Sequence, residues 1–300
     1  MKNIFANLSS LGIIKISGDD ARSFLQAQFT CDMNMNNPGY ARPGAWCNPK
    51  GRVIANFLIL SNNDSYLLLL PTELINKVCQ RLQMFVLRSK VEIQNPGDTY
   101  GCYGLYIDDP DAFISREIPA NIIAAQLPGA IPGRIILAGP VDALDALAST
   151  FPQTGINAAG LADWEALDIE AGIPWILADT SEQVLPQELN LDRLDGLSYN
   201  KGCYPGQEIV ARLHFRGQLK RRLYGGYIDS DTANPQPGAK LSREGDSNTS
   251  GIIINSIRKS AKTVRSLAVL NIEDAASTQL HTPEGDIFHP FTATEESSTD

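Results

Sequence analysis

Lys201-Gly202-Cys203-Tyr204-Pro205-Gly206-Gln207-Glu208 is the stretch on which the reading of this 300-residue chain turns. Two glycines and a proline bracket Cys203, so the backbone turns sharply there and is neither mid-helix nor mid-strand. Gln207 to Leu213 reads as the start of a helix or strand, with Pro205 suited to a first helical turn. A thiol just before a helix N-terminus sees the partial positive charge of free backbone N–H groups, and Lys201 and Arg212 would add to it. Both effects favour the thiolate, the nucleophilic and metal-binding form. Cysteines often fill core gaps, but the Gly-Pro-Gly setting favours Cys203 as a functional thiol. Cys31, Cys47, Cys79 and Cys102 lie in apolar strand or helix contexts and read as core.

Just downstream, Arg212, His214, Arg216, Lys220, Arg221 and Arg222 form a strongly basic run in a chain of net charge −9. Its two readings, a solvated face and a contact for phosphate or carboxylate anions, stand level. Beyond Phe215 the composition changes to short β-rich runs, Leu223–Ile228, Gly251–Ile257 and Val264–Leu270, separated by turn-rich segments. That pattern predicts a small β-domain or barrel.

Upstream, strands and helices mix without βαβ alternation, which predicts an α+β class. Leu11–Ser17 reads as a strand and Asp19-Asp20 as the start of a helix through Phe29. Asn48-Pro49-Lys50-Gly51 marks a hairpin between Ala45–Cys47 and Arg52–Leu60, with Ser65–Leu70 as the next strand. Apolar spacing predicts a helix over Glu73–Leu87 and others over Val141–Ala148 and Leu161–Ile169, with Gly172 closing the last. Val91–Ile93, Tyr100–Ile107 and Arg134–Leu137 read as further strands.

Composition excludes several classes. Forty-three per cent hydrophobic and 20% charged residues are ordinary for a globular chain, which rules out a disordered or fibrous one. The acidic balance argues against a surface built wholly for nucleic acid. Leu67–Leu70 is stopped by Pro71, far short of the ~20 apolar residues that span a bilayer, and the N-terminus has no secretory pattern. A soluble protein without membrane contact is expected. Five scattered cysteines without C-x-x-C spacing suit a reducing cytoplasm rather than a disulfide framework, and offer no self-contained metal site.

The Lys201–Glu208 octet resembles the K-G-C-Y-[TP]-G-Q-E element of the YgfZ-type folate-binding proteins, in the superfamily of the glycine-cleavage T-protein. The resemblance extends to Trp164, Asp168-Ile169-Glu170-Ala171-Gly172, Pro186–Leu191, Ala211-Arg212 and Phe215-Arg216-Gly217. Upstream it takes in Ile16–Asp20, Phe24–Gln28, Asp32 and Asn48–Arg52. It covers nearly the whole chain, weakly after about residue 230. It implies a T-protein-like fold: related α+β lobes round a central cavity, over 1–215, and a C-terminal β-barrel over 216–290; the polar end of the chain predicts a disordered tail over 291–300.

The resemblance further implies tetrahydrofolate or a derivative in the cavity, and a role in assembling or repairing iron–sulfur client proteins, including tRNA-thiolating enzymes. Contact with nucleic acid would then be indirect. Trp164 matches a folate-associated tryptophan and Glu170 the carboxylate expected on the pterin edge; a second family tryptophan falls at Leu11. Cys203 is the expected catalytic thiol, within a motif of Lys201, Gly202, Tyr204, Gly206, Gln207 and Glu208. Arg212, Arg216 and Arg222 are the expected anion-binding side chains. The T-protein's paired aspartates are replaced by Ala55 and Asn56, so glycine-cleavage aminomethyltransfer is not expected. The alternative is one-carbon transfer to another acceptor, for which Asp32, Glu170 and Glu188 are the available carboxylates.

Overall fold

In Leu11–Ser17, Leu11 and Ile13 join one buried cluster while Ile14 and Ile16 join another. Leu67 and Leu69 likewise join the cluster of Leu11 and Ile13, and Leu68 and Leu70 that of Ile14 and Ile16. A run of four leucines is therefore a strand buried on both faces, which explains why it carries no polar alternation. In the computed structural model, which describes residues 3–35, 39–62, 65–115, 118–230, 234–245, 248–275 and 279–291, these strands lie centrally in a five-stranded antiparallel sheet. Its order is Arg42–Cys47, Val53–Asn62, Ser65–Pro71, Leu11–Ser17, Glu92–Gln94.

A second five-stranded sheet runs Asn157–Ala158, Ile4–Asn7, Tyr100–Tyr106, Arg134–Pro140, Ile123–Gln126. The chain enters through this sheet and crosses to the first at the Leu8–Leu11 turn, where the Leu11 N–H donates to the Leu8 carbonyl at 2.9 Å. The two sheets form the two α+β lobes. Six strands, Arg221–Asp229, Thr263–Asn271, Thr249–Arg258, Lys240–Arg243, Leu280–His281 and Ile287–Pro290, close into the expected C-terminal barrel.

Three local expectations change. The helix read over Glu73–Leu87 spans Thr72–Gln83, and Leu87 takes a φ of 47° with 88% of its surface exposed. The chain must reverse there to deliver Glu92–Gln94 to the sheet edge, and Asp20 fixes the return by accepting from the Lys90 N–H at 2.8 Å. Pro205 lies outside the first turn of the Gln207–Arg216 helix, because Gly206 is the capping residue. Phe291, expected in the tail, donates its N–H to the Gly225 carbonyl at 2.9 Å; the rest of that expected tail, 292–300, lies outside the described residues. Among the described residues no helix is long and apolar enough to cross a membrane.

Candidate functional site: a central cavity and a separate surface cysteine

The Leu161–Glu170 helix puts Trp164 and Asp168 on one face, as i and i+4 positions must be, and Glu165 at the margin of that face lines the same space. That side faces a cavity of about 130 Å³, lined mostly by apolar side chains with a few polar groups, the usual make-up of a small-molecule site. Ser10 and Leu11 come from the inter-sheet turn, Trp175 from the segment after the helix, and Asn255–Ile257 from the barrel. Lobes and barrel therefore meet at this cavity.

Asp168 is the buried carboxylate of its wall. The carboxylate pairs with the fully buried Arg134 and accepts from Trp175 Nε1 at 2.9 Å, and the Trp164 side chain is a further partner. Burial pushes its carboxyl up, and Arg134 and the two indoles oppose that shift. With these partners Asp168 organises the wall and has little capacity left for a ligand. Asn255 adds a reciprocal clamp, donating to the Trp175 carbonyl at 2.9 Å and accepting from its N–H at 2.8 Å.

Glu165 is different. It is half-buried, lines the cavity and has the Ser10 side chain as a hydrogen-bond partner. Burial pushes its carboxyl up; the Ser10 bond opposes this and the Asp168 charge adds to it. It is the carboxylate with unspent acceptor capacity in a largely apolar cavity, which fits the N–H edge of a flat heterocycle.

Of the expected cofactor residues, Trp164 and Leu11 line this cavity, while Glu170 and Asp32 do not. Trp164 is 2% exposed, and a Cβ at Gly104 would fall 2.6 Å from its ring, so backbone covers a ring face expected to stack on a ligand. Glu170 lies 3.8 Å from Arg265 of the barrel. Asp32 sits in the loop after the first helix, its carboxyl held low mainly by the Asn34 N–H. Glu188 pairs with Arg221 through bonds of 2.9 and 3.0 Å. The three carboxylates considered for group transfer thus do not line the cavity. Asn56, expected to stand where the T-protein has an aspartate, is buried; it donates to the Pro174 carbonyl and accepts from the Ile176 N–H, both at 2.7 Å.

Cys203 is exposed, the other four cysteines are buried, and Cys203 is absent from the cavity wall. Its loop is built on the Asn48–Gly51 hairpin. Gly206 has a φ of 79°, and a Cβ there would fall 2.5 Å from the Asn48 carbonyl oxygen, so both conformation and space demand glycine. Lys201 points into the protein, donating to the carbonyls of Phe29 at 2.6 Å and Cys31 at 2.8 Å. Its ammonium is committed there, contrary to the expectation that it supports the Cys203 thiolate. Burial lowers its pKa to about 8, against the attraction of Cys31 and Asp32. Tyr204 is buried beneath the loop, Gly202 is exposed, and Gln207 and Glu208 open the helix.

The basic run divides. Arg222 is bound by Asp192 at 2.6 and 2.8 Å and by the Gln187 carbonyl at 3.0 Å, so it is an internal tie. Arg212 and Arg216 are exposed on the helix that follows Cys203, with Ile209 39% and Phe215 67% exposed beside them. Among the described residues, no three His, Cys, Asp or Glu side chains converge as a metal site.

The profile of a family described as the GCVT N-terminal domain matches residues 3–106. The tRNA-modifying protein YgfZ of Colwellia psychrerythraea is 31% identical over 229 residues, 72% of this chain and 69% of that one. The protein of the same name from Yersinia pestis is 30% identical over 291 residues, 91% of this chain and 86% of its own. Among solved structures, the glycine cleavage system aminomethyltransferase T of Bartonella henselae superposes with a TM-score of 0.76 at 14% identity, covering 99% of this chain and 87% of that one, a likeness of fold. With octet, fold and these identities in agreement, the chain belongs to the YgfZ family.

Proposed function

We propose that this protein is a folate-binding accessory factor that supports iron–sulfur cluster assembly or repair in client enzymes, tRNA-thiolating enzymes among them, and that Cys203 is its working thiol. The observation that carries this reading is the outward position of Cys203, away from the cavity wall. A thiol serving one-carbon transfer would have to reach the cavity, whereas an exposed thiol meets a partner's cluster or sulfur. The neighbouring helix supports this: Ile209, Arg212, Phe215 and Arg216 form an exposed apolar and basic face suited to a docked protein. Contact with tRNA is then made by the client.

On this reading the central cavity receives the ring of tetrahydrofolate or a derivative. Leu11, Trp175 and Ile257 supply apolar walls, and Glu165 supplies an acceptor for ring N–H groups. Bound there, the folate would supply one-carbon or redox chemistry, while the protein's own groups orient the ring and exclude water. Residues 1–215 form the folate body and 216–290 the barrel, and five free cysteines suit work in a reducing cytoplasm.

Cys203→Ser should leave folding and tetrahydrofolate affinity unchanged and abolish rescue of tRNA thiolation in cells lacking the protein. Full rescue by that variant would sink the proposal. The alternative, one-carbon transfer to an unidentified acceptor, has Glu165 as its one supporting group. It predicts tetrahydrofolate-dependent turnover that survives Cys203→Ser and fails in Glu165→Gln.

A further inference from the structure

Among the described residues, the aromatic rings that line the central cavity are those of Trp164 and Trp175. Trp164 is already engaged by the protein. It is 2% exposed, a Cβ at Gly104 would fall 2.6 Å from its ring, and the Arg134 guanidinium stands 5.1 Å from the ring centroid. Trp175 is 9% exposed, and its ring has no aromatic or cationic partner among the described residues.

Trp175 is nevertheless held firmly. It lies in the irregular segment 173–177, which has no helix or ladder to satisfy its backbone groups. Two side-chain amides do so instead. Asn56 donates to the Pro174 carbonyl and accepts from the Ile176 N–H, both at 2.7 Å. Asn255 accepts from the Trp175 N–H at 2.8 Å and donates to its carbonyl at 2.9 Å. The register of Thr249–Arg258 against Thr263–Asn271 shifts between Ile253 and Asn255, and such a bulge re-aims the side chains beside it. The indole N–H is taken by Asp168 Oδ2 at 2.9 Å. Backbone and indole edge are thus fixed, and what Trp175 has left to offer the cavity is a rigid carbon face. A surface held in place before the ligand arrives costs little ordering on binding. Glu165 lines the same cavity with acceptor capacity to spare, so a flat ring bearing N–H groups would find a partner for its edge and another for its face.

We propose that Trp175 is the ring on which the pterin of a bound folate stacks, with Asp168 and Asn255 setting its plane. The inference rests on the folate reading of this cavity, and it leaves Trp164 as part of the wall.

The test is calorimetric titration of the full chain with folinate, a tetrahydrofolate derivative that resists air oxidation. Trp175→Leu removes the ring and should weaken binding about tenfold, in keeping with the worth of one aromatic ring stacked on a base. Trp175→Phe keeps a flat ring without the indole N–H, and should recover most of that loss. Binding should also quench the tryptophan emission of the parent chain, and most of that quenching should vanish in Trp175→Phe. This second readout decides the matter even where Trp175→Leu fails to fold. With folinate bound by the parent, the proposal falls while the folate reading stands if Trp175→Leu binds equally well, if Trp175→Phe loses as much as Trp175→Leu, or if Trp175→Phe keeps the full quenching. A parent chain that binds no folinate overturns the folate reading and the stacking role with it.

Discussion

Lys201 Nζ lies 2.6 Å from the Phe29 carbonyl oxygen and 2.8 Å from that of Cys31, across some 170 residues of sequence. The lysine of the cysteine octet is therefore a clamp: it ties the Cys203 loop to the loop that leaves the first helix. Lys201→Met keeps most of the apolar stem and removes the donors, leaving two carbonyls without their charged partner. Hydrogen bonds to charged groups are worth roughly 1.5–3 kcal/mol, so urea unfolding should register a loss of about 2 kcal/mol. Amide exchange should also quicken at residues 30–33. Unchanged stability and exchange would mean that the clamp has no structural weight.

The separation of Cys203 from the other thiols predicts a simple titration. Cys203 alone is exposed; burial pushes Cys31 up to about 11 and Cys102 up to about 12, and raises Cys47 and Cys79 as well. An aromatic disulfide reagent at neutral pH should modify one thiol per folded chain and all five in denaturant. In Cys203→Ser the fast reaction should vanish. Two or more fast thiols would contradict the burial described.

The octet was legible because its glycines and proline carry backbone information that no core packing imitates, and Gly206 against Asn48 is the contact behind it. The barrel was legible from its β-rich runs, although Lys240–Arg243 and Leu280–His281 are too short and polar to be seen that way. The cavity was less so. Trp164 and Asp168 have i, i+4 spacing, which places them on one helical face with Glu165 beside them, while Glu170 turns toward the barrel. That spacing was the available signal for the cavity wall. Arg134 and Asn255 reach the wall from distant strands, and nothing local in the sequence marks their partners.

Asn56 gives a prediction about the lost aspartate pair. Its amide donates to the Pro174 carbonyl and its oxygen accepts from the Ile176 N–H in a buried setting. Asn56→Asp restores a carboxylate but has no donor for Pro174, and adds a charge that burial disfavours. The expected cost is about 3 kcal/mol, and it should grow as pH rises past the carboxylate range, because the buried acid resists ionisation. Guanidine unfolding at acidic and neutral pH measures both. A neutral effect would mean that the Pro174–Ile176 segment yields, and that the aspartate could return without penalty.

Glu165 supplies the pH test of the cavity. Burial raises its carboxyl above the ordinary 4.5, with the Ser10 bond opposing and Asp168 adding to the rise. The folded chain then holds this proton more tightly than the unfolded chain does. The contribution to stability is full below the unfolded value and is lost as pH rises through the folded one. Glu165→Gln removes that dependence, so the stability of the parent chain relative to the variant should fall as pH rises above the ordinary 4.5. Tetrahydrofolate binding should move the other way, since only the ionised carboxylate accepts from two N–H groups. Affinity of the parent chain should grow over the same rise in pH while that of Glu165→Gln stays flat and weaker. If the stability difference appears and the affinity difference does not, Glu165 is a buried acid unconnected with the folate; if neither appears, the cavity is wetter than its walls imply.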